Sequence, residues 1–449
     1  MFKRKNDLLN GPVLSELLIF SVPLFLSALF QQLYNTVDMV IIGKHLGETS
    51  LAALGASMAV YQLLISFSFG FGGGFGIVIS RAFGSGDKEL LKESVAGSLI
   101  IGGGIVGIIM FIGLFLLRPL LVILKTPDEI LQLTYDYIFI ITMFAGISFA
   151  YNLSSGLLRS IGNSISPLVF LVIASIINII LDIVFVVGLD YGIKGAAIAT
   201  IIAQSVSVIL SITFIWKKEH ELIPERRHFR VKKEVFKDLF GQGASMAMMI
   251  SIVVIGSVII QYSINQMGYM IIAGHTAARR LTSLFMMPMS SIAMANTTFV
   301  SQNKGADKGD RIIASVRYSN LLCIAWSLII TVIVLIFSEL MMTLISGSTD
   351  SVLIENGSNY LRFNLPFFVV VGVLFVTRFT LQGLGEKVVP LISSVIELVM
   401  KFLFVLLVIP LIGYTGVIIS EPLIWVVMTI QLLYSYYKNP YIKGARGHV

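Results

Sequence analysis

Two carboxylates stand inside long apolar stretches of this chain: Asp38 in QQLYNTVDMVIIG and Asp182 in INIILDIVFV. An acid in hydrocarbon is costly, so its retention points to function. Gln31, Tyr34, Asn35 and Asp38 follow 3-4 spacing and share one helix face, and Asn178 precedes Asp182 by one turn. Each acid lies about six residues, roughly 9 Å, from one end of its stretch. Thr200 and Tyr137 reach the same level in two further stretches. Oxygen-bearing side chains from four helices therefore meet in one layer. Such a layer could take up and release protons near neutrality. It could equally replace the hydration shell of Na⁺, since hard cations prefer oxygen ligands. The structural alternative is that each acid pairs with a neighbouring Asn or Tyr to fix helix packing. Two unneutralised acids at one depth are an expensive way to pack.

Other polar residues carry weaker signals. Glu397 and Lys401 are four apart on one helix face and are read as an internal ion pair rather than as substrate contacts. Arg279, Arg280 and Arg378 receive no role from spacing alone. Methionines cluster in the second half, at 246, 248, 249, 286, 287, 289 and 294. Polarizable, flexible side chains suit a cavity that accepts several apolar shapes, which makes Met286, Met287 and Met289 candidate substrate contacts. GFGGGFG at 70–76 lacks GxGxxG spacing and sits within an apolar stretch. Gly70 with Gly74, Gly72 with Gly76, and Gly103 with Gly107 are read as close helix contacts instead. No GxxxxGK[ST] occurs, so energy must come from an ion gradient or a partner. The five His residues, 45, 220, 228, 275 and 448, have no ligand spacing, and Cys323 is the only cysteine. Neither a nucleophile with a base nor a metal cluster is present, so an enzyme is not expected.

The elements that must position these residues are membrane spans. Of 449 residues 56% are hydrophobic and 13% charged, with mean hydropathy +0.90, too little polar surface for a soluble globule of this length. Residues 14–98 overlay 235–319 at a constant shift of 221, and LRSIGNSISPL matches LQGLGEKVVPL at a shift of 223. Each half holds six stretches of about 20 apolar residues or more. The expectation is an all-α integral membrane protein: twelve transmembrane helices in two homologous six-helix lobes, 1–216 and 237–449, joined by a polar linker at 217–236. Lys and Arg crowd one set of loops, including Lys3, Arg4, Lys5, Arg81, Lys217, Lys218, Lys304 and Lys438. Both termini are therefore expected in the cytoplasm. An even number of spans per half sets the pseudo-twofold axis along the membrane normal. The net charge of +7 follows from this topology, and its spread over many loops argues against nucleic-acid binding. The linker is expected to carry a short surface helix against anionic headgroups, or to be a solvated connector.

At these residues the chain resembles multidrug and toxic compound extrusion (MATE) transporters over essentially its whole length. The features that carry the resemblance are VPLFLSALFQQLYNTVDMVIIGKHLG at 22–47, SRAFGSGD at 80–87 with SQNKGAD at 301–307, LRSIGN with LQGLGE, and NIILD at 178–182. The resemblance implies two six-helix lobes forming a V-shaped cavity. It also implies export of lipophilic organic cations in exchange for H⁺ or Na⁺, with no further cofactor. Asp38 matches the family's helix 1 acid; Asn178, Asp182 and Thr200 match its first-lobe cation site, with Tyr137 nearby. NorM-like members carry further acids in helices 7 and 10, which are missing here, and the repeat partners of Asp38 and Asp182 are Ile259 and Val405. That pattern is closer to DinF-like members and confines coupling to the first lobe. A monomer in a bacterial-type cytoplasmic membrane, in contact with lipids, is the implied setting. A lipid-linked oligosaccharide or lipid flippase of the same superfamily architecture is the alternative, though the identifiable layer here is acidic.

Overall fold

The computed structural model describes residues 6–446, with side chains throughout except at 58–66 and 446. Lys3, Arg4, Lys5 and His448 lie outside the described residues. Among the described residues there is no strand. The first helix, Val13–Gly84, is broken at Gly47 (φ 78°, ψ −177°) into α1 (13–46) and α2 (48–84). There follow α3 (Lys88–Phe115), α4 (Asp128–Met143 bent by 52° into Ala145–Ser160), α5 (Ile165–Asp182, widening into a π-helical turn at Ile183–Gly188) and α6 (Gly192–Lys218). The second half repeats the order. It runs α7 (Lys233–Ile264), α8 (Tyr269–Gly305), α9 (Gly309–Ser346), α10 (Ser351–Asn364 continued by Phe368–Gly383), α11 (Val388–Leu403, a π-helical turn at Phe404–Val408, then Ile409–Ile412) and α12 (Tyr414–Lys438). Among the described residues nine helices are long and apolar enough to cross a membrane, ten when the bent α4 counts as one span. α8 is more polar, carrying His275, Arg279 and Arg280 near one end and Gln302, Asn303 and Lys304 at the other.

The duplication is visible in the backbone. Gly47 and Gly268, Gly162 and Gly385, and Gly192 and Gly413 form three repeat-related pairs, and all six residues have positive φ, between 59° and 92°. A side chain there would strain the left-handed turn, so these glycines end helices at equivalent places in both halves. Helix starts are capped locally. Asp87 accepts from the Leu90 amide at 3.0 Å, and Asp350 from the Leu353 amide at 3.0 Å.

The chain forms two compact units, and they do not divide at 216 and 237. Unit 1 comprises residues 1–7 and 22–247; unit 2 comprises 8–21 and 248–449. The reason lies in backbone satisfaction and close packing. In unit 2, Arg311 donates to the carbonyls of Leu8 (3.0 Å) and Gly11 (2.8 Å), while Lys308 donates to the Leu9 carbonyl at 3.0 Å. These bonds hold the approach to α1 against α9. In unit 1, the start of α7 packs into α2 where glycines allow backbone contact. A Cβ on Gly74 would meet Gly243 N at 2.4 Å, and one on Gly70 would meet Ala247 Cα at 2.4 Å. Gly72 and Gly76 are looser, and Gly103 and Gly107 have open space; the crowded glycine of α3 is Gly102, against the Phe149 ring. Arg81 forms an ion pair with Asp238, again within unit 1.

The linker belongs to unit 1 and forms two short 3-10 turns, His220–Leu222 and Arg226–Phe229, in place of a surface α-helix. It is strapped to α3 by polar contacts: Lys92 to Glu225 (2.8 Å), Arg227 to Glu89 (2.9 Å) and the Lys232 amide to Glu93 (2.5 Å). The hydrogen bond from Lys92 and the nearby Arg227 hold the Glu225 carboxyl below the usual range. His228 is buried, accepts at Nδ1 from the Glu225 amide (2.9 Å) and so donates from Nε2 to Glu89 (3.0 Å).

Candidate functional site

In unit 1, α1 and α5 bring Asp38 and Asp182 together, and the two carboxyl groups interact directly. Asp182 is 1% exposed and Asn178, one turn earlier, 2%. One oxygen of Asp38, both oxygens of Asp182 and both polar atoms of the Asn178 amide have no hydrogen-bond partner among the described residues. Two carboxylates offer each other no donor, and an unmet buried acceptor costs about 1–3 kcal/mol or more. A shared proton would bridge two of the carboxyl oxygens, and a bound cation could take several of these oxygens together. Asp182 is the last residue of the α-helical part of α5 and adjoins the π-helical turn, a feature frequent at functional sites.

Next to the acids lies a small cavity whose walls include Tyr34, Tyr151, Ser175, Asn178, Thr200 and Gln204. Two of its hydroxyl protons are spent on the helices: Thr200 donates to the Ala196 carbonyl at 3.0 Å, and Ser175 to the Leu171 carbonyl at 2.9 Å. Their oxygens remain as acceptors. Gln204 accepts from Ser148 at 2.6 Å. The Tyr34 and Tyr151 hydroxyls and the Asn178 and Gln204 amides can both donate and accept, so the mainly apolar walls carry a mixed set of polar groups. Tyr137 is half-buried against a neighbouring cluster that includes Val186 and Ile193, while Gln31 and Asn35 are exposed. Tyr151, Ser175 and Gln204 escaped sequence reasoning. Gln204 stands one turn after Thr200 and could have been found by the same 3-4 spacing.

Unit 2 holds a second set of buried charges. Arg279 of α8 pairs with Glu421 of α12, and Tyr360 of α10 donates to the other oxygen of Glu421 at 2.7 Å. Lys401 Nζ lies 2.8 Å from Glu397 Oε1. Arg378 is 6% exposed and donates from Nε and Nη2 to Ser393 Oγ at 3.0 and 2.7 Å. Arg280 is exposed. Glu421 was overlooked in the sequence although it is an acid inside an apolar span, the same signal that marks Asp38. Of the methionines, Met286 and Met287 are half-buried, but Met289 is fully buried in the core of unit 2, where Ser327 donates to its sulfur at 3.3 Å. It packs, and does not line an open wall. No group of three or more His, Cys, Asp or Glu able to hold a metal occurs among the described residues.

Comparison with known proteins identifies the family. The chain is 25% identical over 431 residues to the probable multidrug resistance protein YoeA of Bacillus subtilis (strain 168), covering 94% of this chain and 92% of that one. It is 24% identical to an FAD transporter of Shewanella oneidensis, covering 96% of each chain. Among solved structures, an outward-facing multidrug resistance MATE family transporter of the MOP superfamily superposes with a TM-score of 0.90 at 24% identity over 100% of both chains. The MatE family model matches residues 23–184 and 245–407, one match in each half. The chain is thus a multi-pass membrane protein of the MATE family of multidrug efflux transporters.

Proposed function

We propose that the protein is a secondary active exporter that moves lipophilic organic cations outward in exchange for H⁺ or Na⁺ bound at Asp38 and Asp182. The observation that carries this reading is the pair of adjacent acids, three of whose oxygens are buried without a donor among the described residues, next to a cavity lined by Asn178 and Thr200. An incoming proton or Na⁺ halves the charge of the pair; a cationic substrate competes for the same negative field, so the two occupy unit 1 in alternation. Asn178 and Thr200 supply neutral oxygens that help replace the hydration shell of Na⁺. Kinship alone leaves the charge of the substrate open, since one relative is an FAD transporter; the adjacent acids Asp38 and Asp182 favour a cation. Met286 and Met287 shape substrate preference, the chain works as a monomer, and the basic loops place both termini in the cytoplasm.

Efflux of a lipophilic cationic dye from proteoliposomes, under an imposed Na⁺ or pH gradient, tests the proposal. Asp38→Asn and Asp182→Asn should insert normally and lose active efflux. Full activity in both variants, or efflux indifferent to both gradients, would sink it.

A further inference from the structure

The charged cavity of unit 2 is the repeat image of the unit 1 site. At the shifts that align the halves, Tyr137 falls on Tyr360, Asn178 on Lys401 and Thr200 on Glu421, while Asp38 and Asp182 fall on Ile259 and Val405. Tyr360, Lys401 and Glu421 line one cavity, together with Arg279 and His275 of α8 and Gln261 of α7. Duplication has kept the place and changed its polarity.

What the lining offers is set by which hydrogen-bonding capacity remains. The two Glu421 oxygens are taken, one by Arg279 and the other by Tyr360. The Gln261 amide nitrogen donates to Asn265 at 2.8 Å. Lys401 has three N–H donors and uses one on Glu397, which lies outside the lining; its stem lies against Gly256, where an added Cβ would meet Cδ at 2.9 Å and Nζ at 3.3 Å. Arg279 has five donors, and its side chain is 37% exposed. Lys401 and Arg279 thus keep N–H donors to spare beside a carboxylate that is already paired, while Gln261 Oε1 and the Ser257 and Ser420 oxygens remain as neutral acceptors. If packing were their only purpose, apolar side chains would serve as well at less desolvation cost, as Ile259 and Val405 do at the neighbouring repeat positions.

We propose that this cavity is a second binding site, for an anionic group, carboxylate or phosphate, held by Arg279 and Lys401. The site is independent of the coupling acids of unit 1. A ligand carrying both a cationic and an anionic group could not satisfy both from either site alone, so the proposal concerns the anionic group only.

The test is equilibrium binding of radiolabelled acetate and inorganic phosphate to the purified full chain in phosphatidylcholine nanodiscs, with chloride at matched ionic strength as the control. Saturable binding of either oxyanion, not displaced by chloride, is expected. Displacement by phosphatidylglycerol built into the nanodisc would identify a lipid headgroup as the source, and binding unaffected by it a soluble anion. Lys401→Met with Glu397→Met, which removes the pair without stranding a charge, should weaken binding by about tenfold or more, the worth of one charge-assisted hydrogen bond. Gly256→Ala, pressing on Lys401, should weaken it too, and Asp38→Asn with Asp182→Asn should leave it intact. Absence of saturable binding in the wild type, an unchanged affinity in both unit 2 variants, or loss of binding in the unit 1 variant would overturn the proposal.

Discussion

Replacing Asp182 by Asn should make the protein more stable and useless at once. In unit 1 the two Asp182 oxygens and one of Asp38 lack donors. An amide of nearly the same shape at 182 would donate to Asp38 and remove one of two adjacent negative charges. One hydrogen bond to a charged group contributes about 1.5–3 kcal/mol. Relief of like-charge repulsion adds to this, at most about 4 kcal/mol for two charges roughly 4 Å apart at an effective dielectric of 20. Allowing for relaxation, a gain of about 2 kcal/mol is expected for Asp182→Asn in sodium-free buffer at alkaline pH. Saturating cation reverses the order. A ligand at 100 times its Kd stabilises the wild type by about 2.7 kcal/mol, and the variant, with half the site's charge, gains little of this. Denaturation of protein in nanodiscs, run with and without Na⁺ and across pH, should show the two curves crossing. A variant less stable than the wild type under every condition, or one whose stability still rises with cation as the wild type's does, would refute the assignment of the pair as an ion site.

Three further outcomes follow from the packing. Gly74→Ala should prevent α2 and the start of α7 from meeting, because the new Cβ would lie 2.4 Å from Gly243 N; yield of folded protein on detergent extraction should collapse, whereas Gly107→Ala, facing open space, should be neutral or gain up to about 1 kcal/mol in helix propensity. Met289→Ala should cost about 2–5 kcal/mol by leaving a cavity in the unit 2 core, while Met286→Ala and Met287→Ala should change the range of exported dyes with little loss of stability in the same denaturation assay. Because Glu225 titrates below its ordinary value, its contacts with Lys92 and Arg227 are fully present above the usual glutamate range and are lost as pH falls through the lowered value; protease nicking of 217–236 should therefore rise only in strong acid, and Glu225→Gln should abolish that dependence.

Much of this was legible in one dimension because hydrocarbon penalises polarity. Asp38, Asp182, Asn178 and Thr200 stand out against apolar neighbours whatever the tertiary structure, and the repeat doubles the evidence for each helix. Which face meets which neighbour is another matter. Gly102 and Gly103 are adjacent in sequence, yet only Gly102 touches Phe149, and three methionines within four residues divide between core and partial exposure. The polar linker reads equally as a surface helix or a solvated connector, and Glu89, Lys92 and Glu93 on α3 supply partners that favour short turns. Unit boundaries also escaped, since nothing local to Leu8 signals that Arg311, some three hundred residues later, will hold its carbonyl.

The π-helical turns of α5 and α11 bear on descent. Between Leu168 and Gly192 the first half is two residues longer than the corresponding stretch from Leu391 to Gly413, as the change of shift from 223 to 221 records. An insertion in one copy alone could account for a wide turn in that copy, but both copies have one, at Ile183–Gly188 and Phe404–Val408. The length difference therefore does not account for the wide turns. Both halves carry the same backbone irregularity at corresponding places, whereas the aligned side chains differ, Asp38 and Asp182 in one half and Ile259 and Val405 in the other.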